Sequence, residues 1–150
     1  MLFICYAGSS RTRYAFTLSS NKLDVMRTDF LIVFLGGGIG AALRHGVNLL
    51  STRLFNTSFP AGTFAINLTG ALIMGMVIEY ALSKGTLSLQ MKLLITTGVL
   101  GGFTTFSTFS MEIVQLFQRG QAAMAIGYAS ASLVLGVCAA ALGVWLVRQF

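Results

Sequence analysis

The sequence predicts an all-α membrane protein with four transmembrane helices, the third of them broken. Three observations carry that prediction. Of the 150 residues, 55% are hydrophobic and only 9% charged, against roughly 25% charged in an ordinary soluble domain, and the mean hydropathy is +0.81. Four apolar stretches are each long enough to cross a bilayer, which takes about 20 residues. Within the third, Gly101-Gly102-Phe103-Thr104-Thr105-Phe106-Ser107-Thr108-Phe109-Ser110 joins paired glycines to a run of hydroxyl residues. Adjacent glycines loosen a helix, and a backbone carbonyl freed in lipid must be met by protein, water or an ion. Such a break implies a lined cavity; a Gly/Ser packing seam between helices is the plainer alternative.

Residues 1–25 differ from the rest. Met1 to Ala7 is too short to span, and Arg11 to Lys22 is Ser-rich and basic. A secretory signal carries its charges before the apolar run, whereas here they follow it. The expectation is an N-terminal extension outside the core, with Met26 as a candidate natural start and 26–150 as the four-helix transmembrane domain.

The first span is expected over about Phe30 to Leu50. Its Gly36-Gly37-Gly38 and Gly40 allow close helix approach; with no strand before it and no acidic residue after it, the run is not read as a nucleotide fingerprint. Arg44, near the end of the span, either snorkels to the interface or draws anions into an entrance. The second span starts after Pro60, a favourable first-turn residue, and runs to about Ser83. On it Thr63, Asn67, Gly70 and Met74 share a helical face. Asn67 either bonds a neighbouring helix or lines a pathway, and Glu79 falls near the far end.

The third span, about Ser88 to Gln118, is longer than one crossing needs, which suits two helical pieces. Beyond its glycines, Phe103, Phe106 and Phe109 recur every third residue as one stripe, with Ser107 and Ser110 beside it. Glu112 reads as a helix-surface or interface charge. The fourth span, about Ala122 to Val147, places Tyr128, Ser132 and Gly136 on one stripe. There a Tyr and a Ser hydroxyl either pass a ligand along or simply pack.

Charge placement leaves orientation open. With four spans, Arg27, Lys84, Lys92 and Arg148 lie on one side, and Arg44, Arg53 and Arg119 on the other. Four against three is almost no positive-inside bias, as expected of a chain that inserts both ways round. Counting Arg11, Arg13 and Lys22 would raise the first side to seven. Four helices are few to enclose a pore, which points to a homodimer. Cys5 and Cys138 are far apart and offer neither a metal motif nor a disulfide framework. The net charge of +6 is spread between apolar spans, which fits membrane orientation better than nucleic-acid binding.

Three motifs in this order resemble the Fluc/CrcB fluoride channels over essentially Met26 to Arg148. They are Gly36-Gly37-Gly38-Ile39-Gly40-Ala41-Ala42-Leu43-Arg44, Gly62-Thr63-Phe64-Ala65-Ile66-Asn67-Leu68-Thr69-Gly70, and the Gly101 to Ser110 stretch. The resemblance implies an antiparallel, dual-topology homodimer in the bacterial inner membrane, passively exporting cytoplasmic fluoride through two pores. It also implies a structural Na⁺ at the dimer interface, held by the backbone carbonyls of Gly101 and Thr104. Phe106 and Phe109 match the family's pore phenylalanines and Asn67 its pore asparagine. Tyr128 and Ser132 match its polar track, Thr63 a further pore hydroxyl and Arg44 its vestibule arginine. Gly136 stands where some members carry another serine.

The chemistry is consistent with that resemblance. Fluoride is strongly hydrated, so a selective path must offer donors: Thr, Ser and Tyr hydroxyls and the Asn amide can donate, while carbonyls repel an anion. A phenyl ring has a positive edge, so a ring presented edge-on attracts the ion. Freed carbonyls, conversely, suit a cation. Against this stand a small multidrug exporter, which needs a membrane-embedded carboxylate, and a non-transporting membrane subunit. No nucleophile–base pair or metal cluster points to an enzyme.

Overall fold

The computed structural model describes residues 20–55 and 58–150. The N-terminal extension expected over 1–25 lies, up to residue 19, outside the described residues. The described chain is helical: α1 (Ser20–Leu54), α2 (Ala61–Ser83), α3 (Leu89–Leu93), a π-helical segment (Leu94–Leu100), the single turn α4 (Gly101–Phe103), α5 (Phe106–Gln118) and α6 (Ala122–Arg148). Four spans are long and apolar enough to cross a membrane: Leu23–Leu54, Ala61–Ser83, Leu89–Gln118 and Ala122–Arg148. The second to fourth fall close to the boundaries expected from hydropathy. The first helix begins well before Phe30, because Ser20 to Asp29 continue the helix without being apolar.

Local chemistry sets the ends. Pro60 precedes α2, where a missing amide proton costs nothing. Ser88 caps α3 by accepting from the Met91 amide at 3.2 Å, and Thr105 caps α5 by accepting from the Thr108 amide at 3.3 Å. After α5, Gly120 turns the chain at φ +74°. Its amide donates to the Phe117 carbonyl (3.0 Å), and the Gln121 amide reaches back to Leu116 (2.9 Å). This Schellman arrangement needs a left-handed residue, and glycine supplies it without strain.

Large side chains point outward: Phe34, Leu82 and Leu133 are exposed. The buried positions are few and often small, as where lipid already solvates the apolar chains and helices gain by close approach. α2 and α6 meet this way, since a Cβ on Gly75 would lie 2.2 Å from the Ala140 carbonyl oxygen and one on Gly143 2.2 Å from that of Leu72. The span-one glycines divide: Gly36 and Gly40 press on the π segment, Gly37 takes Gly102 against its own backbone, and Gly38 has open space around it.

The far end of this α2–α6 pair carries Glu79, whose carboxylate receives the Arg148 guanidinium through two bonds of 2.9 and 3.2 Å. The Glu79 side chain is only 12% exposed, but that of Arg148 is mostly exposed, so water screens the pair from the Arg148 side and its net contribution is small. Arg148→Ala is expected to leave the denaturation midpoint in detergent nearly unchanged; a large drop would show that the pair clamps the two helix ends.

Candidate functional site

Thr104 (φ −77°, ψ 156°) and Thr105 (φ −151°, ψ 117°) are extended and separate α4 from α5. The first amide of this pair still bonds as a helix would, Thr104 N–H to the Leu100 carbonyl at 3.0 Å. The next does not. The Thr105 N–H donates to Asn67 Oδ1 (2.9 Å), and Asn67 Nδ2 donates to the Thr105 carbonyl (3.2 Å). A side-chain amide has the donor and acceptor of a peptide group, so Asn67 stands in for the backbone partner that an extended residue in a membrane lacks. α2 can come this close because Gly70, one turn further on, faces Thr104: a Cβ there would lie 2.3 Å from Thr104 Cγ2.

One turn before Asn67, Thr63 is 2% exposed and its hydroxyl donates to Glu112 Oε1 at 2.6 Å. The other oxygen, Oε2, accepts from the Tyr128 hydroxyl at 2.8 Å. Tyr128 is 1% exposed and is enclosed by aromatic rings: Phe59 at 5.5 Å, Phe64 at 6.3 Å and Phe109 at 5.1 Å between centroids, the first and last edge-to-face. Phe109 in turn touches Phe106 at 5.7 Å. The aromatic row therefore runs from Phe106 through Phe109 to Tyr128. Phe103, expected on the same stripe, belongs to α4, and the two extended residues break the helical period between it and Phe106.

A cavity of about 270 Å³ opens at the end of the bundle carrying the α1–α2 and α5–α6 connections. Thr63 and Glu112 line its inner part, Asn48 and Ser51 come from α1, and Gln115 and Arg119 from α5. Arg44, the arginine expected at an entrance, does not line it; Arg119 does. Ser132, on the Tyr128 face of α6, has a buried hydroxyl oxygen with no partner.

Of the residues singled out in the sequence, Thr63, Tyr128, Phe109 and Phe106 are thus connected in one row. Asn67 sits one turn from Thr63 but is engaged with Thr105. Three residues were not anticipated. Glu112 was expected as a helix-surface or interface charge; it lies in the middle of α5 and joins two buried hydroxyls, a pairing of residues 49 and 16 positions apart that no local pattern encodes. Thr105 was legible as a helix N-cap, a threonine directly before a helical run. Arg119 had no distinguishing signal.

Gly101 and Thr104 share a feature that bears on a cation. In an unbroken helix the amide four residues on would bond each carbonyl. For Gly101 that amide is Thr105, which goes to Asn67; for Thr104 it is Thr108, which goes to the Thr105 hydroxyl. Among the described residues no three His, Cys, Asp or Glu side chains converge as metal ligands; backbone carbonyl oxygens are among the ligands a hard cation takes.

Comparison with known proteins gives a consistent answer. The family model described as CrcB-like protein, Camphor Resistance (CrcB), matches residues 31–144. The chain is 45% identical over 121 residues to fluoride-specific ion channel FluC 2 of Nitrobacter hamburgensis, covering 81% of this chain and 98% of the relative. It is 47% identical over 120 residues to fluoride-specific ion channel FluC of Methylobacterium nodulans, covering 80% and 96%. The FluC of Granulibacter bethesdensis is 49% identical over 119 residues, covering 79% and 94%.

Proposed function

The chain belongs to the CrcB-like protein family, and on that premise we propose that it is a fluoride-selective ion channel. It works in a bacterial inner membrane as an antiparallel, dual-topology homodimer. Two pores let cytoplasmic fluoride leave passively; the protein is a channel and not an enzyme.

The observation that carries this reading is the convergence of the Thr63 and Tyr128 hydroxyls on the Glu112 carboxylate, between an open polar cavity and a row of phenyl rings. Two short donors on one anionic group are what a dehydrated anion requires, and hydrogen bonds to charged acceptors are the strong ones. Fluoride entering by the cavity, past Arg119, meets these donors in competition with Glu112. The unpartnered Ser132 hydroxyl extends the donor track along α6. Phe109 and Phe106 lead on from Tyr128, and a ring edge turned toward the ion offers positive potential where no hydroxyl is available. Asn67, one turn from Thr63, has a second amide proton to offer the ion while it holds Thr105. Arg44 acts from outside the cavity, through its field on anions approaching the protein.

Dimerisation is supported by what one protomer leaves open. Phe106 is 78% exposed and Gly101 is also at the surface, while Thr104 is half-buried and Thr105 buried beneath them; a second copy covers the face that carries Gly101 and the first pore ring. Two copies bring four carbonyl oxygens, from Gly101 and Thr104 of each, around one Na⁺. These carbonyls, lacking their helical donors, fit such an ion, which supplies a fixed central charge holding the two copies together.

Fluoride efflux from liposomes containing the purified protein, read with an ion-selective electrode against a chloride control, tests the reading. Rapid fluoride release without chloride release is expected, and none from well-folded protein would overturn it. Phe106→Ile removes the positive ring edge offered to the ion and should slow fluoride release by about tenfold or more, about 1.4 kcal/mol at the barrier, while the dimer persists on size exclusion. Unchanged flux would remove Phe106 from the pathway.

A further inference from the structure

We propose that Asn67 is a positioning residue for the cation site: by taking the Thr105 amide, it releases the Gly101 carbonyl to act as a ligand. The inference rests on the sodium reading above and adds the cause of the ligand's availability.

The bonding around the extended pair is stepwise. Thr104 N–H keeps its helical acceptor, Leu100 O, at 3.0 Å. Its hydroxyl bonds the same carbonyl at 2.9 Å, so Leu100 is doubly satisfied and takes no part. The change begins one residue later, when Thr105 N–H turns to Asn67 Oδ1 at 2.9 Å rather than back to Gly101. Asn67 Nδ2 then fixes the Thr105 carbonyl at 3.2 Å, which holds Thr105 extended and prevents the amide from swinging back. The Thr105 side chain repeats the device on the next pair. Its hydroxyl accepts the Thr108 amide at 3.3 Å, which a continuous helix would spend on Thr104.

Two consecutive diversions thus leave the Gly101 and Thr104 oxygens without their helical donors. Only the first depends on a residue outside this span. An uncommitted carbonyl within a membrane costs several kcal/mol, and a cation recovers that cost. The Asn67 side chain therefore biases the protein toward the cation-bound state. It does so from the same helix face as Thr63, so one side chain serves both the ion path and the cation site.

The test follows thermal unfolding of the full-length protein in detergent, titrating NaCl against N-methylglucamine chloride at constant ionic strength. Wild type should gain stability with Na⁺ by mass action. Asn67→Ala lets Thr105 N–H return to Gly101, and the Na⁺ midpoint should rise by about tenfold. Asn67→Met, which fills the space without an acceptor, carries the same expectation should alanine not fold. Asn67→Asp keeps an acceptor for the Thr105 amide and should hold the midpoint within about threefold of wild type. A merely structural Asn67 would lower stability equally at every Na⁺ concentration without moving the Na⁺ midpoint. A wild-type midpoint retained in Asn67→Ala and Asn67→Met overturns the proposal while leaving the sodium reading intact. No Na⁺-specific stabilisation of wild type would overturn the sodium reading, and the proposal with it.

Discussion

Replacing Glu112 with alanine is expected to destabilise the protein by about 2–4 kcal/mol, the cost of leaving two buried hydroxyls without their acceptor at about 1–3 kcal/mol each. Thr63 lines the cavity and can turn to water there, so its share falls at the low end. Tyr128, enclosed by Phe59, Phe64 and Phe109, has no such outlet. Glu112→Gln separates hydrogen bonding from charge. Its carbonyl oxygen still accepts from one hydroxyl and its amide can donate to the oxygen of the other, leaving only that hydroxyl's proton without an acceptor, so the loss should be about half or less. Chemical denaturation in detergent of the two variants beside wild type reads both values. If the alanine variant unfolds within about 0.5 kcal/mol of wild type, the spread of an ordinary surface substitution, the carboxylate does not hold these elements together. Fluoride flux of Glu112→Gln, measured in the same liposomes as Phe106→Ile, then tells whether the negative charge itself controls anion passage.

The second large effect concerns backbone contact. A Cβ added at Gly40 would lie 2.1 Å from the Val99 carbonyl oxygen and 2.8 Å from the Phe103 nitrogen. These are main-chain atoms of the third span and have no rotamer to adopt, so α1 must retreat by about 1 Å against a close-packed neighbour. Gly40→Ala should cost at least about 1–3 kcal/mol, the usual penalty of overpacking, despite alanine being the better helix former by about 1 kcal/mol. Gly38, two positions earlier, has nothing within 4 Å of its added Cβ. There the propensity gain stands alone, and Gly38→Ala should be neutral or slightly stabilising in the monomer. Equal losses at both positions would mean that a second chain covers the Gly38 face. A tolerated Gly40→Ala would mean that the helix seam is looser than its geometry.

The sequence by itself determined the class of the protein, the four spans and the family. Each of these rests on something local or additive: the hydropathy of a window, the rarity of charge, the span starts near Pro60 and Ser88, and three motifs in fixed order. Spacing also placed Thr63 and Asn67 on one face of α2, because a helix repeats at a known period. Only the tertiary structure decided what that face meets. Glu112 on α5, Thr63 on α2 and Tyr128 on α6 form one hydrogen-bonded group because three helices bring them together. Charge and position along the chain alone suggested an unremarkable surface carboxylate. The same holds for Asn67, whose polarity announced a partner without saying that the partner is the backbone of Thr105. It holds too for the glycines, identical in sequence, of which Gly40 touches another main chain and Gly38 does not. The period of a helix states which residues share a side; the direction that side faces is set by packing between segments distant in the chain, and no single segment contains it.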